Sequence, residues 1–182
     1  RLERLGINRE KVVKIRGGVN TSIISKLSLE NKRDVEYLRN ELLRDKRYVI
    51  LYACRFVRFK GIKESLLALS LSVIVDDIRI VFLGDGPLKD EIELFCQSHF
   101  APSQVSFVGA VDNDLVLRYM AASDIVVNCS IELTRESGDG SYIHTETMGR
   151  TMMEAVCVGT HIIATDVGGS SELFQENKGI GV

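Results

Sequence analysis

Short apolar runs that alternate with helical segments constrain this chain more than any other feature. Tyr48-Val49-Ile50-Leu51-Tyr52-Ala53 is continuous and of strand length, as is Ile78 to Leu83. Val105 to Val108, Asp124 to Cys129 and His161 to Thr165 repeat the theme. Between them lie segments with helical spacing: Ile62 to about Val73, Pro87 to about His99, and Leu115 to Met120 behind a capping Asp112 or Asn113. Asp34 to Arg44 puts Val35, Leu38, Leu42 and Leu43 on one helical face. Unbroken apolar strands joined by helical crossovers specify a parallel sheet covered on both faces. The expected fold is α/β, a doubly wound, Rossmann-like sheet, with residues 1–182 forming one domain. Lys11 to Ile15 is a further strand candidate, Ser25 to Lys32 reads as polar loop, and Ser171 to about Glu176 as a short helix before a last, truncated strand.

In such sheets ligands bind beyond the carboxyl ends of the strands. The glycine-rich turns fall at those ends: Gly17-Gly18-Val19-Asn20, Gly84-Asp85-Gly86 and Gly168-Gly169. Arg55 and Lys60 flank the turn after the first long strand, where two cations could grip a diphosphate. Glu146 and Glu154 lie eight positions apart with Gly149 between them, and a helix starting at Gly149 offers free backbone N–H groups to an anion. Ionised carboxylates accept hydrogen bonds only, so this pair suits a hydroxyl-rich ligand.

Each motif alone has a plainer account. The glutamates could be one helix cap and one solvated side chain, and Arg55 and Lys60 solubilising charge. Gly84-Asp85-Gly86 lacks the dinucleotide spacing, which disfavours a nicotinamide site and favours a tight turn bordering the cleft. His144 sits in a long polar stretch, Ile131 to Thr145, that shows no element of its own. His161 opens a strand and reads as structural. Asp112-Asn113-Asp114 is explained by helix capping rather than a metal.

The net charge of −2 argues against a nucleic-acid binder. Four cysteines without a CxxC pair argue against structural zinc and for a reducing, cytoplasmic compartment. Both ends read as cuts through a longer protein.

Taken as an ordered set, these segments resemble the carboxyl-terminal domain of the retaining GT-B glycosyltransferases of the large family four. The carrying residues are Gly17 to Asn20, Arg55…Lys60-Gly61, Gly84 to Pro87, Val105 to Gly109, Ala122 to Val127, Glu146…Gly149…Glu154, and Gly159 to Glu172. The resemblance implies that Arg55 and Lys60 bind a donor diphosphate, and that Glu146 contacts the transferred sugar and Glu154 the ribose. Backbone at Gly149, Arg150 and Thr151 would meet sugar or phosphate, residues Val108, Gly109 and Val111 would border the base, and Gly17 and Gly84 would bring backbone close to the donor. It further implies a UDP-, GDP- or ADP-sugar as substrate, no cofactor or metal, and an amino-terminal acceptor domain in the same parent chain. Any membrane association would come through that other half. The pattern departs at Cys54 for a common Gly, Asn20 for Asp, His161 for Pro, and in the length of the stretch before Glu146. Two alternatives stay open: a noncatalytic binding module on this fold, or an epimerase or phosphorylase of the same architecture.

Overall fold

The computed structural model describes residues 6–13, 17–22, 32–137 and 140–170. Five parallel strands form the sheet: β1 (Tyr48–Ala53), β2 (Ile78–Leu83), β3 (Val105–Gly109), β4 (Ile125–Asn128) and β7 (His161–Ala164). Their spatial order is β3-β2-β1-β4-β7. The chain therefore steps outward from β1 to β3, then returns across β1 to build the other wing. The reversal leaves a crevice at the carboxyl end of the central strand, the position where open α/β sheets take ligands.

Burial on both faces explains why β1 and β2 read as unbroken apolar runs. Val49, Leu51 and Ala53 face a core layer that also holds Val81, Leu117, Met120, Val126 and Ala155. Ile50 and Tyr52 face the opposite layer with Phe56, Ile62, Leu66, Ile80, Phe82 and Ile92. Helices α1 (Lys32–Leu43), α4 (Asn113–Ala122) and α5 (Arg150–Val158) serve the first layer; α2 (Ile62–Ser70) and α3 (Lys89–His99) serve the second. In α1 the expected Val35, Leu38, Leu42 and Leu43 do pack against the core. The Asp112 side chain caps α4, accepting from the Leu115 amide at 2.9 Å. At the amino end of the sheet Asp124 accepts from the Val49 amide and from Arg39, both at 2.8 Å, tying α1 to β1 and β4.

Three sequence expectations need correction. The stretch Ile131 to Thr145 is not structureless: β5 (Leu133–Ser137) and β6 (Gly140–His144) pair as an antiparallel hairpin. Two residues separate the paired strands, and Gly-Asp at that spacing is a hairpin signal. The second correction is Lys11 to Ile15: Arg9–Lys11 is a 3₁₀ turn, and Val12 and Val13 are exposed rather than paired in the sheet. Without a neighbouring strand, β-branched residues there gain nothing from extension. Lys14 and Ile15, most of the Ser25–Lys32 stretch, and the helix and strand expected after Ser170 lie outside the described residues. Finally, α2 stops at Ser70, three residues short of Val73, which is fully exposed.

Candidate functional site

A cleft of about 480 Å³ opens at the carboxyl edge of the sheet. Each wall comes from a different turn. Ala53, Cys54 and Arg55 leave β1; Leu83, Gly84 and Asp85 leave β2; Ala110 and Val111 follow β3; Asn113 and Val116 begin α4; Arg150, Thr151 and Glu154 begin α5; Lys60 closes one side.

The β1 and β2 turns are braced against each other. Cys54 donates its amide to the Leu83 carbonyl at 3.1 Å, and Phe56 to that of Asp85 at 2.9 Å. Gly84 sits at φ +128°, where a Cβ would overlap the Cys54 carbonyl oxygen. Only glycine allows the two strand ends to run so close. Burial pushes the Cys54 thiol up to about 12, against a small pull from Lys60, so it lines the cleft as an uncharged thiol.

Lys60 ends a 3₁₀ turn, Arg58–Lys60, which Gly61 closes in the left-handed region at φ +60°. Its ammonium meets the Glu146 carboxylate in a tight ion pair across 86 positions of sequence. Ser130 donates its hydroxyl to the same carboxylate oxygen at 3.0 Å. Burial by itself would raise the Glu146 carboxyl. The Lys60 ammonium, the Ser130 hydroxyl and the Gly149 amide outweigh it and hold the group below the ordinary value. Glu146 is thus a carboxylate fixed behind Lys60, and it does not itself line the cleft.

Gly149 caps α5 in the left-handed region, φ +59°. The helix starts at Arg150, and its first-turn amides, including those of Arg150 and Thr151, lack intrahelical acceptors. Thr151 also donates its hydroxyl to the Ala53 carbonyl at 3.3 Å, locking the helix start to the end of β1. One turn deeper, Glu154 is buried, 3.5 Å from the Arg150 guanidinium. Burial lifts its carboxyl above the ordinary value, and Arg150 and the Asn113 side chain reverse this only in part. The two acids therefore differ: Glu146 is held below the ordinary value behind Lys60, whereas Glu154 lines the cleft with its carboxyl raised. Arg55 is exposed at the rim, and its guanidinium makes no hydrogen bond or ion pair among the described residues.

Of the residues singled out in sequence, Arg55, Lys60, Gly84, Val111, Arg150, Thr151 and Glu154 line this one cleft. Glu146 and Gly149 stand directly behind it. Val108 and Gly109 do not line it; Val108 is exposed on β3, and Ala110 and Val111 take that wall instead. Gly17 also stands outside the lining, against the Met148 side chain. Ser130 was missed: a serine after a strand carries no signal of its own. Asn113 was read only as an alternative cap. His144 is not at the cleft; its ring packs edge-on against Phe59 with centroids 4.4 Å apart.

Sheet, crevice and lining together define a Rossmann-like α/β domain of the kind found in GT-B glycosyltransferases. The chain belongs to the family described as glycosyl transferases group 1, which residues 34–182 match. It is similar to an uncharacterized glycosyltransferase of Methanocaldococcus jannaschii, 27% identical over 175 residues, covering 95% of this chain and 41% of the relative. It is also similar to N-acetyl-alpha-D-glucosaminyl L-malate synthase of Bacillus anthracis, 26% identical, covering 79% of this chain and 34% of that one. Among solved structures, HepE of Anabaena in complex with UDP-glucose superposes with a TM-score of 0.71 at 21% identity, covering 94% of this chain and 43% of HepE. The chain thus spans about two-fifths or less of these curated relatives.

Proposed function

We propose that this chain is the carboxyl-terminal, donor-binding domain of a retaining hexosyltransferase, which moves a sugar from a nucleoside diphosphate to an acceptor hydroxyl. One observation carries the reading: a guanidinium with no partner among the described residues, a fixed ammonium, a buried carboxylate and a helix amino end converge on a single crevice.

In this reading the Arg55 fork and the Lys60 ammonium hold the two phosphates. Glu154 accepts from the ribose hydroxyls, for which a carboxylate that lines the cleft is suited. The base lies along Ala110 and Val111, and the first-turn amides of α5 meet the sugar or the sugar-linked phosphate. As the glycosidic carbon–oxygen bond to the diphosphate breaks, negative charge grows on the departing phosphate oxygen, and Arg55 and Lys60 stabilise it without a metal. Glu146 holds Lys60 in place and, once the donor engages that ammonium, is free to accept from a sugar hydroxyl. The acceptor enters on the face the diphosphate leaves, which retains the anomeric configuration, and an amino-terminal domain of the parent chain presents it. The parent works in the cytoplasm in polysaccharide or glycoconjugate biosynthesis, with any membrane contact made by that other half. The isolated domain binds donor weakly and transfers little.

Calorimetry of the parent protein with UDP, GDP and ADP tests this. At least one should bind, and Arg55→Ala combined with Lys60→Ala should abolish it. Unchanged affinity in the double variant refutes the site.

A further inference from the structure

Lysine is a poor device for holding a phosphate at a defined point unless something restrains its flexible stem. Glu146 fixes one end of Lys60, but a second restraint is built beside it. The Lys60 ammonium stands 5.3 Å from the centroid of the Phe59 ring, within cation–π range. The Phe59 ring in turn receives the His144 imidazole, 4.4 Å between centroids at 68°, the edge-on geometry that aromatic quadrupoles favour. Phe59, Lys60 and His144 are all partly buried, although Tyr142 and Ile143 just before His144 are exposed.

Hairpin β5–β6 brings these groups together. Leu133 at the start of β5 is opposite His144 at the end of β6, so the two strands share one root. On the incoming side, Ile131 donates its amide to the Phe59 carbonyl at 2.7 Å. On the outgoing side, His144 packs on the Phe59 ring. The hairpin root thus holds Phe59 by backbone and by side chain at once. Gly61, just past Lys60, fits against the Cys129 carbonyl so closely that any Cβ would overlap it. The Lys60 turn is therefore docked onto the chain that enters the hairpin, and Glu146 follows two residues after the chain leaves it.

We propose that Phe59 and His144 are positioning residues for Lys60, and that hairpin β5–β6 is the strut that sets them. Neither touches the cleft. They narrow the positions open to the ammonium so that it meets a diphosphate without first having to be ordered. The inference rests on the reading of Lys60 as a diphosphate ligand.

Inorganic pyrophosphate, titrated by NMR into the full-length protein, probes that chemistry without commitment to a base. Lys60→Met should weaken pyrophosphate at least about tenfold, as loss of a charge-assisted hydrogen bond demands. His144→Ala and Phe59→Leu should each weaken it about three- to fivefold, the effect of a modest cation–π contact. His144→Phe, which keeps an aromatic edge on Phe59, should stay within about twofold of wild type. In a Lys60→Met background, His144→Ala should change nothing further, whereas general loosening of the fold would weaken binding in both backgrounds. If Lys60→Met leaves pyrophosphate affinity unchanged, the cleft reading fails and takes this inference with it. If Lys60→Met weakens binding but His144→Ala and Phe59→Leu do not, the positioning role alone is refuted. Failure of His144→Phe to restore affinity, or an equal loss in both backgrounds, refutes it too.

Discussion

Replacing Lys60 with Met keeps most of the aliphatic stem and removes the charge that faces Glu146. The two side chains are only 14% and 10% exposed, so water can do little for the carboxylate left behind. Removing one partner of a fully buried pair costs roughly 3–5 kcal/mol. Here the Ser130 hydroxyl and the Gly149 amide remain on Glu146, and the ammonium sits at the edge of an open cleft. Those two facts reduce the expected loss to about 2–3 kcal/mol at neutral pH. The sign of its pH dependence follows from Glu146. Its carboxyl lies below the ordinary value in the folded protein, so it contributes stability that is present above the unfolded-chain value and lost as pH falls through the folded one. The gap between wild type and Lys60→Met should therefore be full at neutral pH and close as pH drops below about 4. Urea unfolding of both proteins across that range measures it. An equal gap at neutral and acid pH would mean that packing of the stem, rather than charge, is what was lost. A neutral-pH gap under about 0.5 kcal/mol, the scatter of surface substitutions, would mean the pair is solvated and the electrostatic account of Glu146 is wrong.

Gly84→Ala places a methyl into the Cys54 carbonyl at φ +128° and should destabilise by about 2–4 kcal/mol, read as a lowered melting temperature. A loss below about 1 kcal/mol would show that the β1 and β2 turns can separate. Glu154 behaves oppositely to Glu146. Its raised carboxyl gives stability that is present below the unfolded-chain value and lost as pH rises through the folded one, so Glu154→Gln should unfold no more easily than wild type at pH 7. If its ionised form accepts from the ribose, affinity for a nucleoside diphosphate should climb as pH rises through that raised value. Calorimetry run upward from the ordinary carboxyl range, about pH 4, should show a steeper rise in wild type than in Glu154→Gln, whose remaining slope belongs to the terminal phosphate; equal slopes refute the ribose role.

The sheet was legible because burial on two faces leaves a direct trace: Val49, Ile50 and Leu51 alternate between opposite core layers, so both sets had to be apolar. The hairpin left little trace because its strands expose much of their length, and Leu133-Thr134-Arg135-Glu136-Ser137 needs no apolar face. Among the site residues, glycines at positive φ and lone cations after strands were readable, since strand ends are where an α/β sheet gathers its turns. Which of them touch was not. Nothing local at Lys60 announces a partner 86 positions away, and Ser130 becomes visible only once the carboxylate it serves has been located. Of the stretch Val108 to Val111, only the two residues past the end of β3, Ala110 and Val111, line the cleft, because that is where the chain turns over the sheet edge.

The return of the chain across β1 has an evolutionary consequence. In the proposed reading, the wall that meets the base, Ala110 and Val111, follows β3 in the wing laid down first, while Glu146 and Glu154 belong to the wing laid down afterwards. Drift at Ala110 and Val111 would then change base preference while leaving Lys60, Glu146 and Ser130 as they are. Recombination at the crossover would pair an old base preference with a new glycosyl preference, leaving the anchoring cations of the turn after the central strand common to both parents.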